Sequence, residues 1–390
     1  MLKPVVGFAA FGLFWGAWGA ILPAVRSGAG VTDGELGVAL LMVGVGALIS
    51  MRFTGHLIDR YGGAVLPVVT VLFGICGVLP ALANSAVTLS AALLLLGATS
   101  GATDVAINAT GSHAEAAAGR PVLNLAHGLF SVAVVVASLS TAGLRAAGVD
   151  ALPVLGGTGF VIVLAAVIAL RPDGSHPVIA PESDGPASDR PAKRRLEPTL
   201  IVFGGLCALA YLVENAWQSW GAVHLDTSLH AAAGLASSAP AVFAAAAAAG
   251  RFSGNGLLKR VRPVRLLVAG GAIAAVGSLC AALATNPWVA LAGIAVAGLG
   301  TSVCAPTIIG MAGAWAGPER RAGAISVVTT IAYLGFLVGP AAVGAVSSVW
   351  SLSIALAGVA VIASVVAGLA PVAGRVADGR AALRRTAKGI

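Results

Sequence analysis

Twelve apolar runs of roughly 20 residues recur along this chain, near 4–26, 35–57, 64–84, 87–112, 121–145, 150–170, 200–225, 232–258, 264–284, 288–312, 322–348 and 351–373. At about 1.5 Å per helical residue, each is long enough to cross a hydrocarbon core about 30 Å thick. Apolar residues fill 58% of the 390 positions and charged ones 10%, with a mean hydropathy of +0.95, values that exclude a soluble globular protein. The 52 glycines would weaken helices in water. In lipid, small residues let helix backbones approach closely, so the same composition predicts a tightly packed all-α bundle of twelve transmembrane helices. The first run is too long for a cleaved signal peptide, and no A-x-A-like site separates it from the second, so it is expected to remain as a span.

One long polar stretch, 171–198, interrupts the series. It is rich in Pro, Ser, Asp and Gly, ends in Lys193, Arg194 and Arg195, and offers no apolar period from which a core could be built. The expected organisation is a six-helix half over 1–171, a cytoplasmic linker over 172–198, a second six-helix half over 199–374 and a cytoplasmic tail over 375–390. With both termini inside, every Lys and Arg except Arg26 and Arg145 falls at a cytoplasmic end or loop, a bias that orients the bundle and requires an even number of crossings. The net charge of +8 then reflects contact with anionic inner-leaflet lipid rather than a nucleic-acid partner. Cys76, Cys207, Cys280 and Cys304 lie within the runs without metal-ligand spacing, so no metal or other cofactor is expected.

The two halves repeat. Trp15-Gly-Ala-Trp18-Gly-Ala in the first run is echoed by Trp217-Gln-Ser-Trp220-Gly-Ala in the seventh, and Arg52-Phe53-Thr54-Gly55 by Arg251-Phe252-Ser253-Gly254. Asn84 and Asn286 stand at corresponding turns. Six spans, a linker and six related spans is the parallel-repeat plan of a rocker-switch transporter, whose binding site lies near the midplane between the halves.

The string Gly55-His56-Leu57-Ile58-Asp59-Arg60-Tyr61-Gly62 resembles the G-x-L-x-D-R-x-G loop between helices 2 and 3 of the major facilitator superfamily. With the twelve runs and the central linker, the resemblance covers essentially the whole chain. The basic residues that usually follow the last glycine are replaced here by Gly63 and Ala64. Taken by themselves, Gly55 and Gly62 permit a tight crossing, Asp59 can accept from a helix N-terminus and Arg60 faces anionic lipid. The resemblance further implies that this loop latches a cytoplasmic gate through Asp59; a plain topogenic turn is the alternative. The Arg-centred helix 4 motif and the helix 5 G-x-x-x-G-P motif of proton-coupled drug antiporters are missing, while Gly335-x-x-x-Gly339-Pro340-x-x-x-Gly344 stands in the eleventh run. Together with Asp104-x-x-x-Asn108, His127 and Glu214, the pattern resembles a bacterial branch near the fucose-type sugar permeases.

A charged side chain deep in a span costs about 2.5–3.5 kcal/mol on insertion scales, so each is a functional candidate. Asp104 and Glu214 are the ionisable groups placed away from span ends. Gly101, Asp104, Asn108 and Glu115 share one helix face, a stripe leading from the middle of the bundle toward the cytoplasm. His127 in the next run is placed to approach Asp104 or Glu115, as either a proton relay or a static hydrogen-bonded pair. Around Glu214 stand Asn215, Trp217, Gln218 and Trp220, with Glu214, Trp217 and Gln218 expected on one face. Trp15 and Trp18 are expected at the same level in the pseudo-symmetric run, and Tyr333 in the eleventh. Rings for stacking and amides for hydrogen bonding around a carboxylate suit a polyhydroxylated or cationic solute. Interfacial-belt tryptophans are the alternative, which the interior position of these disfavours.

The chain lacks HExxH, GxSxG and a nucleotide-binding loop, which argues against an enzyme. The expected function is secondary active transport of a small organic solute by alternating access, coupled to protons through Asp104 or Glu214. The protein is expected to act as a monomer in a bacterial cytoplasmic membrane. A drug or metabolite efflux protein of the same fold and a transporter-like receptor are the alternatives.

Overall fold

In the computed structural model, residues 2–119, 122–170, 197–257, 261–317 and 320–387 are described. The expected linker with its basic cluster lies almost wholly outside them, as do Arg120, Lys259 and Arg260. Among the described residues the regular structure is helical throughout. The first six helices are α1 (Leu2–Ala29), α2 (Asp33–Tyr61), α3 (Val65–Cys76), α4 (Ala86–Ala118), α5 (Leu123–Ala146) and α6 (Ala151–Ala169). After 197 come α7 (Pro198–Thr227), α8 (Ala233–Ser237), α9 (Ala239–Leu257), α10 (Pro263–Leu283), α11 (Pro287–Thr301), α12 (Cys304–Ala316), α13 (Arg321–Val349) and α14 (Leu352–Ala387).

Eleven helical stretches among the described residues are long and apolar enough to cross a membrane, and one of them, Asp33–Leu82, is 50 residues long and holds two of the twelve apolar runs. Helix α14 continues past 374, so the expected tail is helical as far as Ala387.

Capping side chains set several boundaries. Thr32 and Glu35 form a reciprocal capping box at the start of α2, with the Thr32 N–H donating to the Glu35 carboxylate at 2.9 Å. At the turns marked by Asn84 and Asn286, the Ser85 hydroxyl caps α4 and the Asn286 side chain accepts the Trp288 N–H at 2.8 Å to cap α11. The expected loop at 55–62 is not a loop: Gly55 to Tyr61 form the end of α2, and only Gly62, at φ +55°, makes the turn. Nothing in His56 to Tyr61 breaks a helix, and Arg60 in its last turn complements the C-terminal dipole.

The chain divides into two compact units, Met1–Ala192 with Ala231–Ala241, and Lys193–His230 with Val242–Ile390. In the first, α2 packs on α4 so closely that Gly97 meets the Val43 carbonyl, and the Ser138 hydroxyl of α5 donates to the Gly16 carbonyl of α1 at 2.9 Å. Phe8, Leu66, Val69, Ile107 and Leu170 are buried in one apolar cluster there. Segment 231–241 belongs to this unit, with Gly234 against Ala142 and Ala146 of α5. In the second unit α7 packs on α13, with Gly335 against the Ala208 carbonyl, over a core that includes Phe203, Ile308, Met311 and Val328. Any side chain at Gly97 or Gly335 would hold these helices apart.

The two cations expected on the outside sit at helix ends. Arg26 pairs with Asp33 at 2.8 Å across the α1–α2 turn, and Arg145 donates to the Val149 carbonyl at 2.8 Å.

Candidate functional site

Helix α7 carries two chemically different faces. At 3.6 residues per turn, Tyr211, Glu214 and Gln218 fall within about 60° of one another, while Trp217, Trp220 and His224 form a second cluster centred about 120° away. On the first face, Glu214 Oε1 accepts from Arg251 Nη2 at 2.9 Å and from Gln218 Nε2 at 3.2 Å. Glu214 Oε2 takes no hydrogen bond among the described residues. The Glu214 side chain is 13% exposed and that of Arg251 43% exposed, so the carboxylate is held inside while the Arg251 side chain stays partly exposed. Glu214 lies 16 residues beyond Pro198, about 24 Å along the helix, which places the pair near the middle of α7.

The second cluster is spent on packing. Trp217 Nε1 donates to the Ser278 hydroxyl of α10 at 2.8 Å, and Trp220 Nε1 donates to the Pro340 carbonyl of α13 at 3.2 Å. His224 Nε2 bonds the Ala281 carbonyl at 3.1 Å. Both indoles are fully buried. Trp217, expected on one face with Glu214 and Gln218, lies about 60° around the helix from Glu214 and turns its indole to Ser278 of α10. Asn215 is buried too, donating to the Phe336 carbonyl and accepting from the Ser219 hydroxyl at 3.2 Å. In α1, Trp18 is buried and stacked parallel on Phe14, while Trp15 is half-buried, edge-on to Phe11 and Phe14. Tyr333 on α13 is exposed.

In the first unit, the Asn108 amide donates to the Asp104 backbone carbonyl at 2.8 Å and to its carboxylate at 3.1 Å. Asp104 is half-buried on α4 and forms no ion pair among the described residues. His127 does not reach it. The imidazole lies 4.4 Å from the Phe8 ring and bonds neither Asp104 nor Glu115 among the described residues. Glu115 instead caps the start of α5, where its Oε2 accepts the Val122 and Leu123 N–H groups at 2.9 and 3.0 Å. The expected relay of Asp104, Glu115 and His127 is thus not assembled, because the helix N-terminus offers the Glu115 carboxylate two donors that no other group supplies. Asp59 and Arg60 are exposed at the end of α2; Arg60 stacks over Tyr61 at 5.3 Å, and Asp59 has no ion pair among the described residues.

A sequence profile of the Major Facilitator Superfamily matches residues 202–386. An uncharacterized MFS-type transporter of Yersinia pestis is 31% identical over 367 residues, which cover 92% of each chain. This chain belongs to the Major Facilitator Superfamily. Membrane protein MosC of Rhizobium meliloti is 27% identical over 351 residues, 88% of this chain and 83% of that one. Among solved structures, a single-residue mutant of nucleoside transporter NupG superposes with a TM-score of 0.78 at 13% identity, covering 96% of this chain and 100% of the other. A bacterial homolog of the human lysosomal transporter Spinster superposes at 0.74 with 16% identity, covering 96% of each. These two carry the superfamily fold. The chain is a transporter and not an enzyme.

For this superfamily member, sequence reasoning placed Arg251 among the cytoplasmic-end charges and missed it as the partner of Glu214. A signal existed: a carboxylate inside a span needs a counter-ion, and Arg251 stands toward the C-terminal end of the eighth run. Tyr211, three residues before Glu214, was legible from helical spacing.

Proposed function

We propose that this transporter moves a small polar organic solute by alternating access, coupled to protons, with Glu214 as the group linked to the solute and Asp104 as the gate or relay group. The cluster of Glu214, Gln218 and Arg251 near the middle of α7 carries this reading. Charges at such depth are retained where they act on a passing solute or ion. Gln218 adds an amide, Tyr211 and the exposed Tyr333 add rings and hydroxyls, and hydroxyl-rich, sugar-like solutes match that donor set. Asp104, with Asn108 bonded to it and no ion pair among the described residues, is the group that exchanges a proton. Asp59 and Arg60, between Gly55 and Gly62, serve the gate at the inner end of α2. The setting is a bacterial cytoplasmic membrane with both termini inside, and the monomer is the working unit.

The test begins by comparing metabolites inside and outside a deletion strain and an overexpressing strain, which nominates the solute. Transport of that solute is then measured in proteoliposomes under an imposed pH gradient for wild type, Asp104→Asn and Glu214→Gln. The amide at the coupling position is expected to abolish driven accumulation while leaving solute exchange. Gradient-driven accumulation that survives in both variants removes proton coupling from these carboxylates.

A further inference from the structure

We infer that the transported solute is an organic anion, and that Arg251 on α9 binds its acidic group. This deepens the reading of Glu214 and Gln218 as the solute site and rests on it. Arg251 is an unusual group to find at the level of Glu214. Its side chain is 43% exposed, yet it is bonded to a carboxylate near the middle of a membrane-crossing helix. Arg251 is the last residue of the apolar span Ala233–Arg251, and a guanidinium facing lipid tails is strongly disfavoured, so its exposed part faces water.

The hydrogen-bond inventory points the same way. A guanidinium presents five N–H donors in a planar fork that matches a carboxylate with two parallel bonds. Glu214 uses only one of its oxygens on Arg251, shares that oxygen with Gln218 and engages only Nη2. Arg251 Nε and Nη1 have no protein partner among the described residues. A bridge built purely to hold α7 and α9 together would be expected to use both oxygens. This one leaves half of the fork for a second anion. Gln218, already bonded to Glu214, can keep hold of that carboxylate when an incoming acid takes over Arg251. Tyr211, Cys207 and Cys304 are the other titratable groups within electrostatic reach of Glu214, and Tyr333 is within reach of Tyr211. Arg251 is the cation of this group, and it is the feature that selects charge.

The test uses the purified full chain and matched pairs of small acids and neutral twins: glycerate and glycerol, gluconate and glucose, galacturonate and galactose. Ligand-dependent melting temperature and tryptophan fluorescence report binding. At least one acid is expected to bind while its neutral twin does not. Arg251→Gln should weaken that acid by about tenfold or more, and Arg251→Lys by less. Glu214→Gln removes the competing carboxylate and should tighten the acid by about tenfold. Should Arg251→Gln fail to fold, Glu214→Gln decides alone, since unchanged or weaker acid binding there overturns the inference. It is equally overturned if no acid binds, or if neutral twins bind as well as acids. Neutral binding that disappears in Gln218→Ala would keep the solute site on α7 while removing the acid from it.

Discussion

Asn215 donates its side-chain amide to the carbonyl of Phe336, the acceptor that Pro340 leaves without its helical N–H four residues on. One turn further along α7, Trp220 donates to the carbonyl of Pro340 itself. Asn215 thus satisfies the carbonyl freed by the interruption and Trp220 adds a second α7 donor beside it, in a setting where lipid offers no hydrogen bonds. Proline inside α13 is tolerated because α7 repairs it.

This relationship predicts coupling. Asn215→Leu should cost about 1–3 kcal/mol, the penalty for leaving a buried carbonyl unsatisfied, seen as a lowered melting temperature. In a Pro340→Ala background the helix regains its own N–H, so the same change should cost less. A double-mutant cycle should give a coupling of about 0.5–3 kcal/mol. Strict additivity would falsify the repair.

The cap on α5 makes a second prediction. Glu115→Ala removes the acceptor for two N–H groups and should cost about 0.5–2 kcal/mol, with Glu115→Gln intermediate because its carbonyl still accepts but without charge. Thermal unfolding in detergent checks the order. Gradient-driven accumulation should persist in the Gln variant, and its loss at unchanged stability would return Glu115 to the proton path.

The two glycines of the 55–62 string should respond in opposite ways. Gly62 holds φ +55° and ends α2, so Gly62→Ala forces a side chain into a strained region at about 1–3 kcal/mol. Gly55 is inside the helix, where an added Cβ would meet nothing within 4 Å. Gly55→Ala should therefore be neutral or stabilising by up to about 1 kcal/mol. Equal melting temperatures for the two variants would contradict this division of roles.

Topology gives a fourth prediction. A single cysteine introduced as Gly185→Cys into a cysteine-free variant should stay unlabelled by an impermeant maleimide in intact cells and react after permeabilisation. Ready labelling in intact cells would reverse the assigned orientation.

The all-helical, membrane-spanning class was legible in the sequence, because it depends on properties of contiguous residues. Apolar length fixes whether a helix can span, and small residues such as Gly97 and Gly335 announce close packing wherever their partners lie. The two carboxylates at issue, Asp104 and Glu214, also stood out locally, since charge inside an apolar run is visible without a fold. What the tertiary structure decided is which groups they meet. Arg251 reaches Glu214 across 37 positions, Trp217 reaches Ser278 across 61, and Trp220 reaches Pro340 across 120. Helical periodicity sorts the residues of α7 into faces, but it does not say which neighbour each face meets. That is set by which helix packs against which, through contacts between residues far apart in the chain.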